Sequence, residues 1–348
     1  MATNPRIDFY RIVLRPSKRN TFKTFRNFAE EVLLLPRTAS DNQIYAKLLD
    51  HFMSKLVSPI ANDESAHKQV RWLESTDNLY RDYKPRVETA NQIMWGVLTG
   101  GRYGRNGLLV DRLNMNEDVD ADTINPSKSV LRYFYFMIYL PLEHNEGCLV
   151  IHSNSRDESS SDIFRHYLEN LFMDKDNYKK MLIVHFCPKY FQNLFKSGAV
   201  LKQLQFRDTF IDTELNTNGV VSNEDGNQFE VSVSLKPINK HTSFQNVISF
   251  SRNLMTKFGY SFQGNIKCLT DVESSKITVV NPETQKTQTF ILDQEDINVC
   301  PSIDVSSILN EWDYSDDGTP LIESLHTKVL NIFRQEVLPE IRPDLRYA

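Results

Sequence analysis

Two hydrophobic periods run along this chain, and the places where one gives way to the other mark its elements. Ile7 to Leu14 is rich in β-branched and aromatic residues and reads as a strand. Phe22, Phe25, Phe28, Val32 and Leu33 then recur at helical spacing. A second stripe follows at Ile44, Leu48, Leu49, Phe52, Met53, Leu56 and Val57, with Asp41 as its expected N-cap. Residues 91–113 read as two strands, Gln92–Leu98 and Gly107–Leu113, joined by a glycine-rich turn. After the polar stretch Asn114–Lys128 comes a continuous apolar run, Leu131–Leu142, of the kind found at a sheet centre. A short turn ending at Gly147 joins it to Cys148–His152 as a hairpin.

Ser160 to Asp162 supply cap chemistry for a helix with the stripe Ile163, Phe164, Tyr167, Leu168, Leu171 and Phe172. A strand at Met181–Cys187, a short helix near Tyr190–Phe195 and the segment Leu201–Phe210 come next. The polar segment Asp212–Gln228 reads as a domain linker. Beyond it, Phe229, Val231, Val233 and Leu235 alternate with polar residues as in a strand with one wet face. A helix with Phe244, Val247, Ile248, Leu254, Met255 and Phe258, three strands (Asn265–Leu269, Lys276–Val280, Thr287–Leu292) and two closing helices complete the pattern. The expectation is an α+β protein of two domains, 1–211 and 229–348, each with a mixed or antiparallel sheet covered by amphipathic helices in a split β-α-β-like arrangement.

Length and composition agree with this picture. The 348 residues exceed one average domain, and 40% hydrophobic with 24% charged residues permit a sizeable core. Collagen, low-complexity disorder and a disulfide scaffold are excluded. The first residues hold no apolar signal core, and the longest apolar run, Tyr133 to Leu142, is about half of a membrane span. Four scattered cysteines without a CxxC pair suit a reducing cytoplasm, so a cytoplasmic protein with no membrane partner is expected.

Charge changes the picture more. The net charge of −5 divides into +6 for residues 1–110, with 17 Lys and Arg against 11 Asp and Glu, and −11 for the remainder. A basic first part points to a polyanion partner. The same region holds Trp95-Gly96-Val97-Leu98-Thr99-Gly100-Gly101-Arg102-Tyr103-Gly104-Arg105-Asn106-Gly107, with five of the twelve glycines. Exposed backbone N–H groups beside Arg102 and Arg105 would form a concave anion site, with Tyr103 free to stack on a base. No Gly-Lys-Ser/Thr closes the segment, and its spacing fails the dinucleotide fingerprint. A twisted hairpin needing glycine for its geometry is the alternative reading.

Other constellations are weaker. Tyr133, Tyr135 and Tyr139 share one face of their strand, which could stack RNA bases, though packing beneath helices is the commoner use. His144, Cys148 and His152 are spaced by four with His185 nearby. Residues four apart on a strand are separated by roughly 13 Å, so no metal site is expected. Asp118, Asp120 and Asp122 lack the glycine and glutamate of a calcium loop. Asp271, Glu273 and Lys276 approximate a nuclease set but read better as a polar turn.

The segments IMWGVLTGGRYGRNGLLVD and FYFMIYLPLEHNEGCLVIHSNS resemble uncharacterised bacterial proteins found among antiphage defence genes. The resemblance covers residues 90–210 and transfers no catalytic residue. It implies a cytoplasmic component that senses or binds nucleic acid, or a partner protein. The expected function is therefore nucleic-acid binding or sensing (DNA or RNA) without independent catalysis and without a cofactor. Its contacts are expected at Arg102, Tyr103 and Arg105, assisted by Arg11, Arg15, Lys18, Arg19 and Lys23. A metal-dependent nuclease or toxic effector, and a protein-binding adaptor, are the alternatives; homo-oligomerisation stays open.

Overall fold

The structure is a computed structural model that describes residues 5–18, 21–65, 67–75, 80–103, 107–109, 122–124, 129–153, 161–212, 227–237, 259–262, 265–268, 274–280, 287–291, 303–305, 308–315 and 319–344. The first apolar run becomes β1 (Arg6–Pro16), whose even-numbered Tyr10, Ile12 and Leu14 are buried against helices while Arg11 and Arg15 face outward. Thr24 caps α1 (Phe25–Glu31) through a reciprocal box with Asn27, so the helix begins too late to include Phe22. Ser40, not Asp41, caps α2 (Asp41–Lys55): its hydroxyl accepts from the Gln43 N–H, and Gln43 Oε1 accepts from the Ser40 N–H at 2.8 Å. Asp41 instead sits in the first turn, where a carboxylate favours the helix dipole.

The remaining strands of the first sheet are β2 (Asn62–Asp63), β3 (Lys68–Arg71), β4 (Arg86–Glu88), β5 (Ile93–Tyr103), β8 (Ser129–Tyr139), β9 (Glu146–Ser153), β10 (Tyr178–Phe186) and β17 (Ile303–Asp304). Two short strands, β6 (Gly107–Leu109) and β7 (Asp122–Ile124), pair separately. The nine-stranded sheet is antiparallel in all its pairs and runs β10-β1-β9-β8-β5-β3-β2, with β17 on β1 and β4 on β5. One face carries α1, α2 and α3 (Ser161–Leu171), whose apolar stripes meet Tyr10, Met94, Leu98, Phe136 and Leu149 in a single core. The other face is covered by α5 (Ile322–Ile332), which continues through a π-helical turn at Phe333–Val337 into α6 (Leu338–Ile341).

The chain divides into two units, residues 1–186 with 302–348, and residues 187–301. This differs from the division at 212–228. There β11 (Val200–Asp212) and β12 (Asn227–Leu235) pair over nine positions, from Leu204 opposite Leu235 to Asp212 opposite Asn227. A polar stretch marks a connection between paired strands as readily as one between domains. The second unit also holds α4 (Lys189–Gly198), the hairpin β13 (Gly259–Phe262) with β14 (Asn265–Cys268), and β15 (Ser274–Val280) with β16 (Thr287–Ile291). Its antiparallel sheet runs β12-β11-β15-β16 and buries Leu204, Phe206, Ile277 and Val279. The helix expected at Phe244–Phe258 lies outside the described residues.

Candidate nucleic-acid interface

As far as Tyr103 the glycine-rich segment is strand, where a turn was expected from Gly96 onward, and residues 104–106 lie outside the described residues. Gly100 and Gly101 sit in the middle of the ladder, opposite Val70 and Gln69 of β3 on one side and Arg132 and Leu131 of β8 on the other. With both edges paired, this stretch offers no row of free N–H groups to an anion. Gly96 has a packing role, because a Cβ there would lie 2.7 Å from Pro85 Cα and 2.9 Å from the Tyr83 carbonyl oxygen. Arg102 is exposed and opposite Lys68, whose ammonium contacts the Asp162 carboxylate. The Tyr103 ring meets His67 edge-on at 5.5 Å, and its N–H donates to the His67 carbonyl at 2.9 Å. Arg105 and Arg19 lie outside the described residues.

The N-terminal cations occupy the opposite end of the sheet. Ladder register places Arg11 level with Cys148, Tyr139 and Ile93. Arg102 is nine positions further along β5, roughly 30 Å at strand rise, and its alternation points it to the other face. The sequence-derived site therefore does not converge into one groove. Two of its cations are also committed locally. Arg11 Nε donates to Glu146 Oε2 at 3.0 Å, and Lys23 Nζ donates to Glu31 Oε2 at 2.6 Å while lying 5.1 Å from the centre of the Tyr178 ring.

Arg15 and Lys18 remain, and the fold brings them three partners that the sequence reading missed. Arg15 is opposite Lys179, Pro16 is opposite Tyr178, and the Ser17 N–H donates to the Asn177 carbonyl at 2.9 Å. The register shift between Val13 and Arg15 gives β10 an extra residue at this point, beside Lys179 and Lys180. Arg15, Lys18, Lys175, Lys179 and Lys180 are all exposed, and none has an ion-pair partner among the described residues. The nearby carboxylates are Asp174, which accepts from the Asn177 N–H and Nδ2 at 3.0 Å, exposed Asp176, and Glu30 and Glu31 beside Tyr178. Of these, Glu31 is taken up by Lys23 and the Tyr178 hydroxyl. The signal was Lys175-Asp176-Asn177-Tyr178-Lys179-Lys180, but only the pairing of β10 with β1 makes it part of the N-terminal basic segment.

A second polar cluster lies beneath α5. His326 stacks on Trp95 at 3.7 Å and 11°, with Nδ1 2.8 Å from the Tyr135 hydroxyl and Nε2 3.3 Å from Glu88 Oε1. Trp95 Nε1 and Asn91 Nδ2 donate to the same carboxylate at 2.7 and 2.8 Å. Burial acts to raise the Glu88 pKa, but these hydrogen bonds and His326 outweigh it and hold the group below its ordinary value. Burial pushes His326 down against the pull of Glu88. Both imidazole nitrogens are engaged within the protein, so the cluster fastens α5 to the sheet and leaves none for a substrate.

The tyrosine face is thus covered: Tyr135 lies under His326, Tyr139 packs on Phe333 at 5.0 Å, and Tyr133 meets Tyr80 at 4.6 Å. A cleft of about 500 Å³ lies between the end of α2 and β3, with Glu74 at its margin bound by Trp72 Nε1 and Lys84 Nζ at 2.6 and 2.7 Å. Among the described residues, no group of three or more His, Cys, Asp or Glu side chains could hold a metal ion. His185 faces Asp8 at 3.6 Å on the helix-bearing side, away from Cys148 and His152. Asp271 and Glu273 lie outside the described residues, as do Asp118 and Asp120. No described helix is long and apolar enough to cross a membrane. Comparison of the chain with family models, with curated proteins and with solved structures gave no match.

Proposed function

We propose that this protein binds nucleic acid through the basic end of the β1–β10 ribbon, as a sensing or binding component without catalysis of its own. The observation that carries the reading is the group of five exposed cations, Arg15, Lys18, Lys175, Lys179 and Lys180, with no ion-pair partner among the described residues. Like charges directly opposite across a strand pair repel, and Arg15 and Lys179 are such a pair. A phosphate between them relieves that repulsion. The sheet holds the two positions in fixed register, so little order is lost on binding. The same role fits the resemblance to defence-associated proteins.

Phosphate contact makes the affinity depend on salt. With five cations engaged on a single strand, affinity falls on the order of 100-fold between 50 and 200 mM salt. Anisotropy titrations of labelled oligonucleotides at several salt concentrations test this. Arg15→Ala/Lys179→Ala weakens binding and flattens the log–log salt slope by about 1.4. Arg102→Ala, at the other end of the sheet, leaves both unchanged. A wild type that binds no oligonucleotide at 50 mM salt, or a double variant with an unaltered slope, overturns the proposal.

A further inference from the structure

We infer that the ligand of this basic ribbon is single-stranded and that one of its bases stacks on Phe22. The inference rests on the ribbon reading and adds to it the strandedness of the ligand. Phe22 belongs by spacing to the apolar stripe of Phe25 and Phe28, both of which are fully buried, yet it is 66% exposed. The cap at Thr24 explains this, since α1 begins only at Phe25 and leaves Phe22 outside the helix.

Its two chain neighbours each make a described contact. Thr21 Oγ1 donates to the Lys18 carbonyl at 2.7 Å, which holds Thr21 beside Lys18. Lys23 lies over the Tyr178 ring, 5.1 Å from its centre, and is paired with Glu31, and the Tyr178 hydroxyl donates to the same Glu31 oxygen at 2.9 Å. Tyr178 is the ladder partner of Pro16 and precedes Lys179 and Lys180. The exposed Phe22 therefore lies in the chain between Lys18, one of the five cations, and Lys23, which is held at Tyr178 beside Lys179.

Cations that track a backbone, combined with an exposed aromatic face, are the elements of single-strand binding. A base can stack on such a ring only when it is not already stacked in a duplex. The patch is also short. From Arg15 to Lys18 the chain spans roughly 10 Å, the reach of a few nucleotides.

The test is an anisotropy titration of the full chain with fluorescein-labelled oligo-dT, oligo-U and a DNA duplex of equal length, for wild type, Phe22→Ala and Phe22→Trp. Phe22 is exposed, so neither variant threatens the fold. The expected result is tighter binding of both single strands than of the duplex. Phe22→Ala should weaken single-strand binding roughly ten-fold with the salt slope unchanged, and Phe22→Trp should restore it. Wild-type preference for the duplex, or single-strand affinity untouched by Phe22→Ala, overturns the stacking inference and leaves the basic ribbon standing. Absence of binding to all three probes overturns the ribbon reading, and this inference with it.

Discussion

On one face of the nine-stranded sheet, Tyr10, Met94, Phe136 and Leu149 meet α1, α2 and α3. On the other face, Trp95, Tyr135 and Tyr139 meet a segment that returns to the sheet after residue 302. The first interface is apolar and rich in aromatic contacts. Its buried tyrosines, Tyr45 and Tyr167, donate their hydroxyls to the backbone carbonyls of Leu140 and Phe52. The second interface buries titratable side chains: His326 with partners on both nitrogens, and His152, 2% exposed, with none on either among the described residues. Both faces bury apolar surface, and burial lowers a histidine pKa on each, His51 beside Phe28 on the first and His152 and His326 on the second. Only the second encloses His152, with no described hydrogen bond to offset that burial.

The largest expected effect tests the apolar face. Phe52 is fully buried, stacked on Phe136 at 5.4 Å and edge-on to Tyr167 and Phe164 at 5.5 and 6.2 Å. Phe52→Ala should cost about 3–5 kcal/mol in urea denaturation, through lost burial and the cavity left behind. That loss should be the same at pH 5 and pH 7, since no group in the contact titrates between them. A loss below about 1 kcal/mol would mean that the helices carry little of the unit's stability.

The covered face should respond to acid. Burial pushes the His152 pKa down to about 4 from an ordinary 6.5, because charging it would place a cation among apolar groups. The folded state therefore keeps His152 neutral while the unfolded chain takes up a proton below pH 6.5. Stability is full above that pH and is lost as pH falls towards 4, by about 3 kcal/mol from this residue. His326, also pushed down by burial, acts in the same direction. His152→Leu should match or exceed wild type at pH 7.5 and surpass it increasingly between pH 6.5 and 4, in parallel urea titrations. Identical pH dependence in the two proteins would show that His152 does not titrate in the folded state as its burial requires.

The same contrast explains what could be read from sequence. The stripe Ile44–Phe52 and the run Tyr133–Leu140 report helix and strand directly, because each buries a face with its own period. The cover on the second face could not be foreseen, since nothing in residues 322–341 shows that their stripe belongs to strands some 200 positions earlier. Glycine misled for a related reason. Gly96 answers to the close approach of Pro85, a contact invisible from local composition. The basic site was half legible: Arg15 and Lys18 stood out in a basic segment, but Lys179 joins them only through strand pairing.

The smallest effect concerns the fastening of α5. Glu88 is held below its ordinary pKa, so at neutral pH it is a carboxylate and can only accept. His326 Nε2 must then carry the proton it shares with Glu88 at 3.3 Å, leaving Nδ1 as an acceptor for the Tyr135 hydroxyl at 2.8 Å. Tyr135→Phe removes that donor without changing the ring, and it strands a buried acceptor of the kind His152 already presents. The expected cost is about 1–2 kcal/mol at pH 7.5. Oligonucleotide affinity should not change, because the cations at the tip of β1 and β10 do not touch this cluster. An unchanged stability would mean that α5 is held by its stack on Trp95 and its apolar stripe alone. The polar cluster would then be no more than tolerated beneath α5, as His152 is beneath the same face.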